Sequence, residues 1–165
     1  PEMLLGRRIS HLAFGIYGHV DSFGDKAGAL DLDDGVDSEL DWLGGCNAIL
    51  NSPISEWMDR RLPEARIIAR ADSFIALCSM VEARMGVAVL PCCLGDRASD
   101  LVSLSGPISE LETTVWLLTH RDLKNTARVR ALSDHLVTCF KSDRPLLEGR
   151  QPIRLNRAAT GAGGT

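Results

Sequence analysis

The stretch from Ala71 to Pro91 constrains the fold more than any other part of this 165-residue chain. Its apolar residues fall at Phe74, Leu77, Cys78, Val81 and Met85, the spacing of one helix face. Asp72 or Ser73 precedes them, and either side chain can accept a hydrogen bond from the unpaired N–H groups of a first helical turn. Gly86 lets the chain leave the helix with positive φ. Val87 to Leu90 is short and wholly apolar, which predicts a buried strand, and Pro91 stops it. The unit sets a hydroxyl and several free N–H donors at one helix start, a seat for a small anion or carboxylate. Helix capping alone also accounts for these residue types, so both readings of Ser73 stand at this point.

The rest of the chain reads as alternating strands and helices. Arg8 to Tyr17 predicts a strand, with Leu12, Phe14 and Ile16 on one face. Ser52-Pro53 marks a helix start with proline at its first position. That helix carries Ile54, Trp57 and Met58 and stops at Leu62-Pro63; Trp57 reads as a packing residue, not a ligand platform. Arg66 to Ala69 and Thr113 to Thr119 are further strands, and Asn125 to Phe140 is an amphipathic helix with Val129, Leu132, Leu136, Cys139 and Phe140 inward.

Several chemistries are excluded by composition and spacing. The chain is 45% hydrophobic and 24% charged with net charge −4, which suits one domain or two small lobes. No apolar run approaches a membrane span, and no signal peptide is visible. Asp31 to Glu39 suggests a calcium loop. Counted from Asp31, however, glycine falls at the fifth place and Trp42 at the twelfth, so the EF-hand spacing fails and a solvated acidic loop remains. The five cysteines Cys46, Cys78, Cys92, Cys93 and Cys139 lack C-x-x-C spacing, which argues against a disulfide framework or zinc knuckle. Cys78 reads as a small core residue, and no His or Asp spacing supports a redox or metal role for Cys92-Cys93. His11, His19, His120 and His135 are scattered, and no nucleophile elbow or phosphate loop occurs, so no catalytic constellation emerges. After Gly149 the tail is too poor in apolar residues to fold alone.

The pattern Ala71-Asp72-Ser73-Phe74, then Val81-Glu82-Ala83-Arg84-Met85-Gly86-Val87-Ala88-Val89-Leu90-Pro91, resembles the effector-binding domain of LysR-type transcriptional regulators. Asp100 to Leu104 is similar to that family's next short strand. Val115 to Leu123 followed by Thr126 to Ala131 is similar to a branch with an aromatic-aliphatic strand, a Thr-His and an Arg-rich final helix. Leu12 to His19 matches the strand that leaves the family's first lobe, and the likeness extends from about Leu5 to Gly149. One departure stands out: Arg84 occupies the family's first glycine of Gly-x-Gly, where the backbone is less permissive.

The resemblance implies an α/β, two-lobed, type-2 periplasmic-binding-protein-like effector domain with an incomplete first lobe. Residues 1–18 would be the end of that lobe and the outbound crossover strand, 19–113 the second lobe, and 114–149 the return crossover strand and first-lobe helix; 150–165 would be a disordered tail. It further implies a cleft between the lobes, lined by Tyr17, Gly18 and His19 at the first crossover and by Asp72 and Ser73 at the helix start. A small, anionic effector would sit there. No cofactor or metal is implied and no enzyme activity. The parent would be a cytoplasmic homodimer or homotetramer that meets DNA only through an N-terminal winged helix-turn-helix. A solute-binding protein of the same architecture is the competing reading. A two-lobed enzyme such as a porphyrin-precursor deaminase or a prephenate dehydratase would need catalytic side chains that are not seen.

The charge balance makes a prediction of its own. A DNA-reading module carries a basic stripe, and the one Arg-rich segment, Arg121 to Arg130, reads as lying on a helix that also carries Asp122 and Asp134, which makes it a solvated face. An anisotropy titration of this chain at physiological salt should show no saturable, sequence-dependent DNA binding. Tight binding to one promoter sequence would overturn the reading.

Overall fold

The computed structural model describes residues 3–32, 40–47, 49–50, 52–62 and 66–150. Most of the acidic stretch, Pro63 and the tail beyond Arg150 lie outside these residues. The strands form two sheets. In the first, β1 (Leu4–Leu12) pairs antiparallel with β7 (Thr113–His120), Leu4 opposite His120 and Leu12 opposite Thr113. In the second, five strands run in the order β4-β3-β5-β2-β6, with β2 at Phe14–His19, β3 at Asp41–Gly45, β4 at Arg66–Ala71, β5 at Val87–Pro91 and β6 at Leu101–Pro107.

Parallel neighbours need a crossover, and helices supply it here. Helix α2 (Pro53–Arg61) links β3 to β4, and α3 (Phe74–Glu82) links β4 to β5. These three strands are parallel, while β2 runs antiparallel to both β5 and β6. The helices cover opposite faces. Trp57, Ile54 and Met58 of α2 pack with Ile16, Trp42, Val87 and Val89, and Leu77, Cys78 and Val81 of α3 pack with Tyr17, Leu43, Ala88 and Leu90. Every residue of β2 and β5 is buried, which is why Val87 to Leu90 carries no polar alternation. The expected core roles of Trp57 and Cys78 are met in these two clusters.

Three expectations need correction. The single strand over Arg8 to Tyr17 is two strands in two sheets, broken at Ala13, because the Ala13 N–H donates to the Leu147 carbonyl instead of a neighbouring strand. The last long helix, α5, spans Ala127–Ser142, and Leu132 and Cys139 face solvent; Val137 is its buried residue. Arg121 to Arg130 is not one helix but a 3-10 turn at Arg121–Leu123 followed by the start of α5.

The turn at the Arg84 departure also forms. The last residue of α3 is Glu82, before Met85, and Arg84 itself takes the left-handed conformation with φ 61°. That conformation costs a non-glycine residue about 1–2 kcal/mol. The Arg84 guanidinium meets the Asp21 carboxylate there, which holds the side chain across to β2's far end. Gly86, at φ 156°, remains obligatory, since a Cβ would lie 2.3 Å from the Asp41 carbonyl oxygen.

The first sheet is far less enclosed. Helix α5 lies over one face, and on the other Trp116 and Leu118 are exposed, Trp116 lying over Gly6. Amide protection follows burial and cooperative packing. Hydrogen exchange should therefore be slower in α3, with three of nine residues buried, than in α5, with one of sixteen. Equal protection of both helices in a monomeric sample would contradict this.

Candidate functional site

Parallel strands leave their C-terminal ends and the following helix starts on one side of a sheet, and ligands gather there. Here the starts of α2 and α3 and the first residue of β2 surround a cavity of about 560 Å³. Phe14, Ile54, Phe74 and Ile75 give it apolar walls, and Ser52, Asp72, Ser73 and Thr113 give it polar ones. The rings of Phe14 and Phe74 meet at 5.8 Å with a 54° tilt, joining β2's start to α3's first residue.

Ser73 is the N-cap of α3. Its backbone is extended at φ −142° and ψ 149°, and its Oγ accepts the Ala76 N–H at 3.2 Å. A serine hydroxyl that accepts one bond still has its own proton to donate, so capping and ligand contact are compatible at this residue. Asp72 beside it is exposed and has no ion-pair partner among the described residues. The start of α2 is held differently: the Ser52 and Ser55 hydroxyls both donate to the Ile49 carbonyl, at 2.6 and 2.9 Å.

Of the five residues expected at the cleft, Asp72 and Ser73 line this cavity and Tyr17, Gly18 and His19 do not. Strand β2 enters its sheet at Phe14, beside the cavity, and runs away from it. At about 3.3 Å per residue, Tyr17 to His19 lie roughly 10–17 Å further along. Tyr17 is buried under α3 and α4 (Cys92–Gly95), and its hydroxyl donates to Asp96 Oδ1 at 2.8 Å. Gly18 faces the Phe23 ring, which a Cβ would meet at 2.5 Å. His19 is buried, and its Nδ1 accepts the Asp21 N–H at 3.1 Å, capping α1 (Val20–Phe23). Phe14, Ile54, Ile75 and Thr113 were not read as site residues. The signal that could have found Phe14 is strand direction: the first residue after a crossover is nearest the junction.

The buried thiols of Cys78 and Cys92 are structural in character. Burial pushes the Cys78 thiol up to about 11, with Glu82 adding to it, and burial likewise raises Cys92 to about 11. A protonated thiol is neither a nucleophile nor a metal ligand. Among the described residues no three His, Cys, Asp or Glu side chains gather in a way that could hold a metal ion. No helix among them is long and apolar enough to cross a membrane.

The family model of the LysR substrate binding domain matches residues 37–157. Among curated proteins no sequence matches this chain. Solved structures do. The effector-binding domain of QuiR, in complex with shikimate, aligns at TM-score 0.59 and 12% identity over 86% of this chain and 67% of its own. The Synechocystis PCC6803 CcmR regulatory domain, in complex with 2-PG, gives 0.59 and 16% over 86% and 70%. Full-length CbnR with its target DNA gives 0.59 and 12% over 85% of this chain, which spans 49% of that regulator. These likenesses establish the fold: two-lobed α/β, of the type-2 periplasmic-binding-protein kind.

Tyr17 and Asp96 make the burial in this region testable. Burial holds the Asp96 carboxyl above its ordinary value, and the bond from Tyr17 opposes the rise. A carboxyl raised by folding contributes stability below its unfolded pKa and loses it as pH climbs through the folded value. Tyr17→Phe removes the opposing bond. It should destabilise the fold by about 1 kcal/mol near neutral pH and by less at acidic pH, as the Asp96 carboxyl takes up its proton. Denaturant unfolding at the two pH values measures this, and an equal loss at both would refute it.

Proposed function

This chain belongs to the LysR substrate-binding domain family, and we propose that it senses a small anionic metabolite in the cavity between the starts of α2 and α3. Domains of this family are regulatory and bind effectors; they are not enzymes. The observation that carries the proposal is Ser73, whose Oγ caps α3 while its proton remains free to meet a ligand at the cavity wall. Unpaired N–H groups of the α3 first turn add partial positive charge there. The complexes of QuiR with shikimate and of CcmR with 2-PG support a small-molecule ligand for this chain as well.

In this reading β1 and β7 belong to the first lobe and the five-stranded sheet to the second. The effector changes how the lobes are set relative to one another, which it can do only by binding one arrangement more tightly. In the longer cytoplasmic protein, a homodimer or homotetramer, that change reaches promoter DNA through an N-terminal DNA-binding module. The complex of full-length CbnR with DNA supports this last step.

A thermal-shift screen of small organic acids against this chain identifies the ligand, and calorimetry on Ser73→Ala tests its place. Losing one hydrogen bond to a charged group should weaken the best acid by about 1.5–3 kcal/mol, roughly ten- to hundred-fold. The lost cap should also lower stability by about 1 kcal/mol. Unchanged affinity with lowered stability would make Ser73 a cap and nothing more.

A further inference from the structure

Strands β1 and β7 pair as far as Leu12 opposite Thr113, and the contact between His11 and Glu112 reaches one residue past that last pair. We propose that this contact is a pH-sensitive latch at the crossing, holding the ribbon to the five-stranded sheet more firmly when His11 is protonated. Both crossing segments, 10–14 and 109–114, lie within the described residues. The latch needs no ligand, so it stands apart from the reading of the cavity at Ser73.

The segment before β7 is anchored first to the second sheet. It makes a 3-10 turn at Ser109–Leu111, with Leu111 buried in the cluster of Trp57 and Ile54. Arg61 of α2 donates from Nε to Glu110 Oε1 at 3.1 Å, and Arg60 stands 3.7 Å from the other carboxylate oxygen. The Arg61 hydrogen bond and the two guanidinium charges hold the Glu110 carboxyl below its ordinary value. This tie is therefore charged at mildly acidic and alkaline pH alike.

Glu112 makes the second tie, to the other side of the crossing. Its Oε1 lies 2.8 Å from Nδ1 of His11 in β1, and it is the one acid that His11 meets among the described residues. Strand β7 sets the uncharged Thr114 opposite His11, and Arg8 lies further along β1, opposite Trp116. Arg7 is taken by Asp134 of α5, His135 of α5 faces Cys139, and Arg144 of α6 is taken by Glu148. Histidine is the side chain whose charge ordinarily changes between pH 5 and 8. Protonated, it donates a charge-assisted bond to the carboxylate; neutral, it keeps at most the bond without the charge. One short segment thus carries a fixed tie to α2 and a titrating tie to β1. The next residue, Thr113, lines the cavity at Ser73, as does the start of α2, so a change of pH acts where the ribbon meets those walls.

The test is amide hydrogen exchange of this chain at about pH 5 and pH 8, on either side of the range in which histidines titrate, each rate divided by its intrinsic rate at that pH. Protection of residues 113–116, taken relative to the buried strand β5, should fall by about threefold from the lower pH to the higher, as expected for a partly exposed ion pair. His11→Gln and Glu112→Gln should each show the lower protection at both pH values, and the double variant should lose no more than either alone. Glu110→Gln should lower protection by the same factor at both. Unchanged protection of β5 shows that each variant folds. Protection that does not depend on pH in the parent chain, or a pH dependence that persists in His11→Gln or Glu112→Gln, would overturn the latch.

Discussion

The backbone of Ala13 ties the two halves of this molecule together. Its N–H donates to the Leu147 carbonyl and its own carbonyl accepts the Cys92 N–H, both at 2.9 Å. One residue therefore joins the end of β1, the start of α4 and α6 (Arg144–Leu147). The next residue adds a third tie, since the Phe14 carbonyl accepts the Ile108 N–H at 2.7 Å. A buried backbone group left without a partner costs about 1–3 kcal/mol, so the crossing point is fixed by these bonds rather than by side-chain preference. The contact is close: a Cβ on Gly149, at φ 63°, would stand 2.9 Å from Cys92 Sγ. Glycine at the end of α6 lets that segment close on α4.

That junction explains which residues reach the cavity. With Ala13 pinned, β2 must enter the five-stranded sheet at Phe14, and its alternation then sends Tyr17 into the α3 core. Tyr17, Gly18 and His19 are consecutive with Phe14's strand in sequence, yet they sit at the strand's far end and serve packing and capping. Ser73 and Asp72 reach the cavity for the complementary reason. They follow β4, whose C-terminal end lies on the same side as β2's beginning.

What could be read from the residues was whatever is decided locally. The α3–β5 unit was legible because its stripe, its cap and its all-apolar strand each arise within a few residues. The start of α2 was legible because proline suits a first helical turn. The break at Ala13 was not, because Leu12, Phe14 and Ile16 alternate without interruption and the break is imposed by Leu147 and Cys92, far off in sequence. The inward face of α5 was misread for a related reason. Its apolar stripe is wider than the surface β1 and β7 offer, so Leu132 and Cys139 are left outside. At Arg84, local preference pointed one way and a distant partner, Asp21, the other, and the turn formed.

The two sheets differ in how firmly each is held, and this bears on how a ligand could act. β2 and β5 are buried along their whole length, whereas half of β7's apolar side chains face solvent on a two-stranded ribbon. A two-stranded unit draws little stability from itself, so its placement depends on the crossings at Ala13 and at the segment before Thr113. Phe14 is the first residue of β2 and Thr113 the first of β7, and both line the cavity at Ser73. A ligand there would touch the chain just after each crossing and α3 at the same time. It would need no relay through the core to favour one setting of the ribbon against the sheet, only a better fit to Phe14, Thr113 and Ser73 in that setting than in the other.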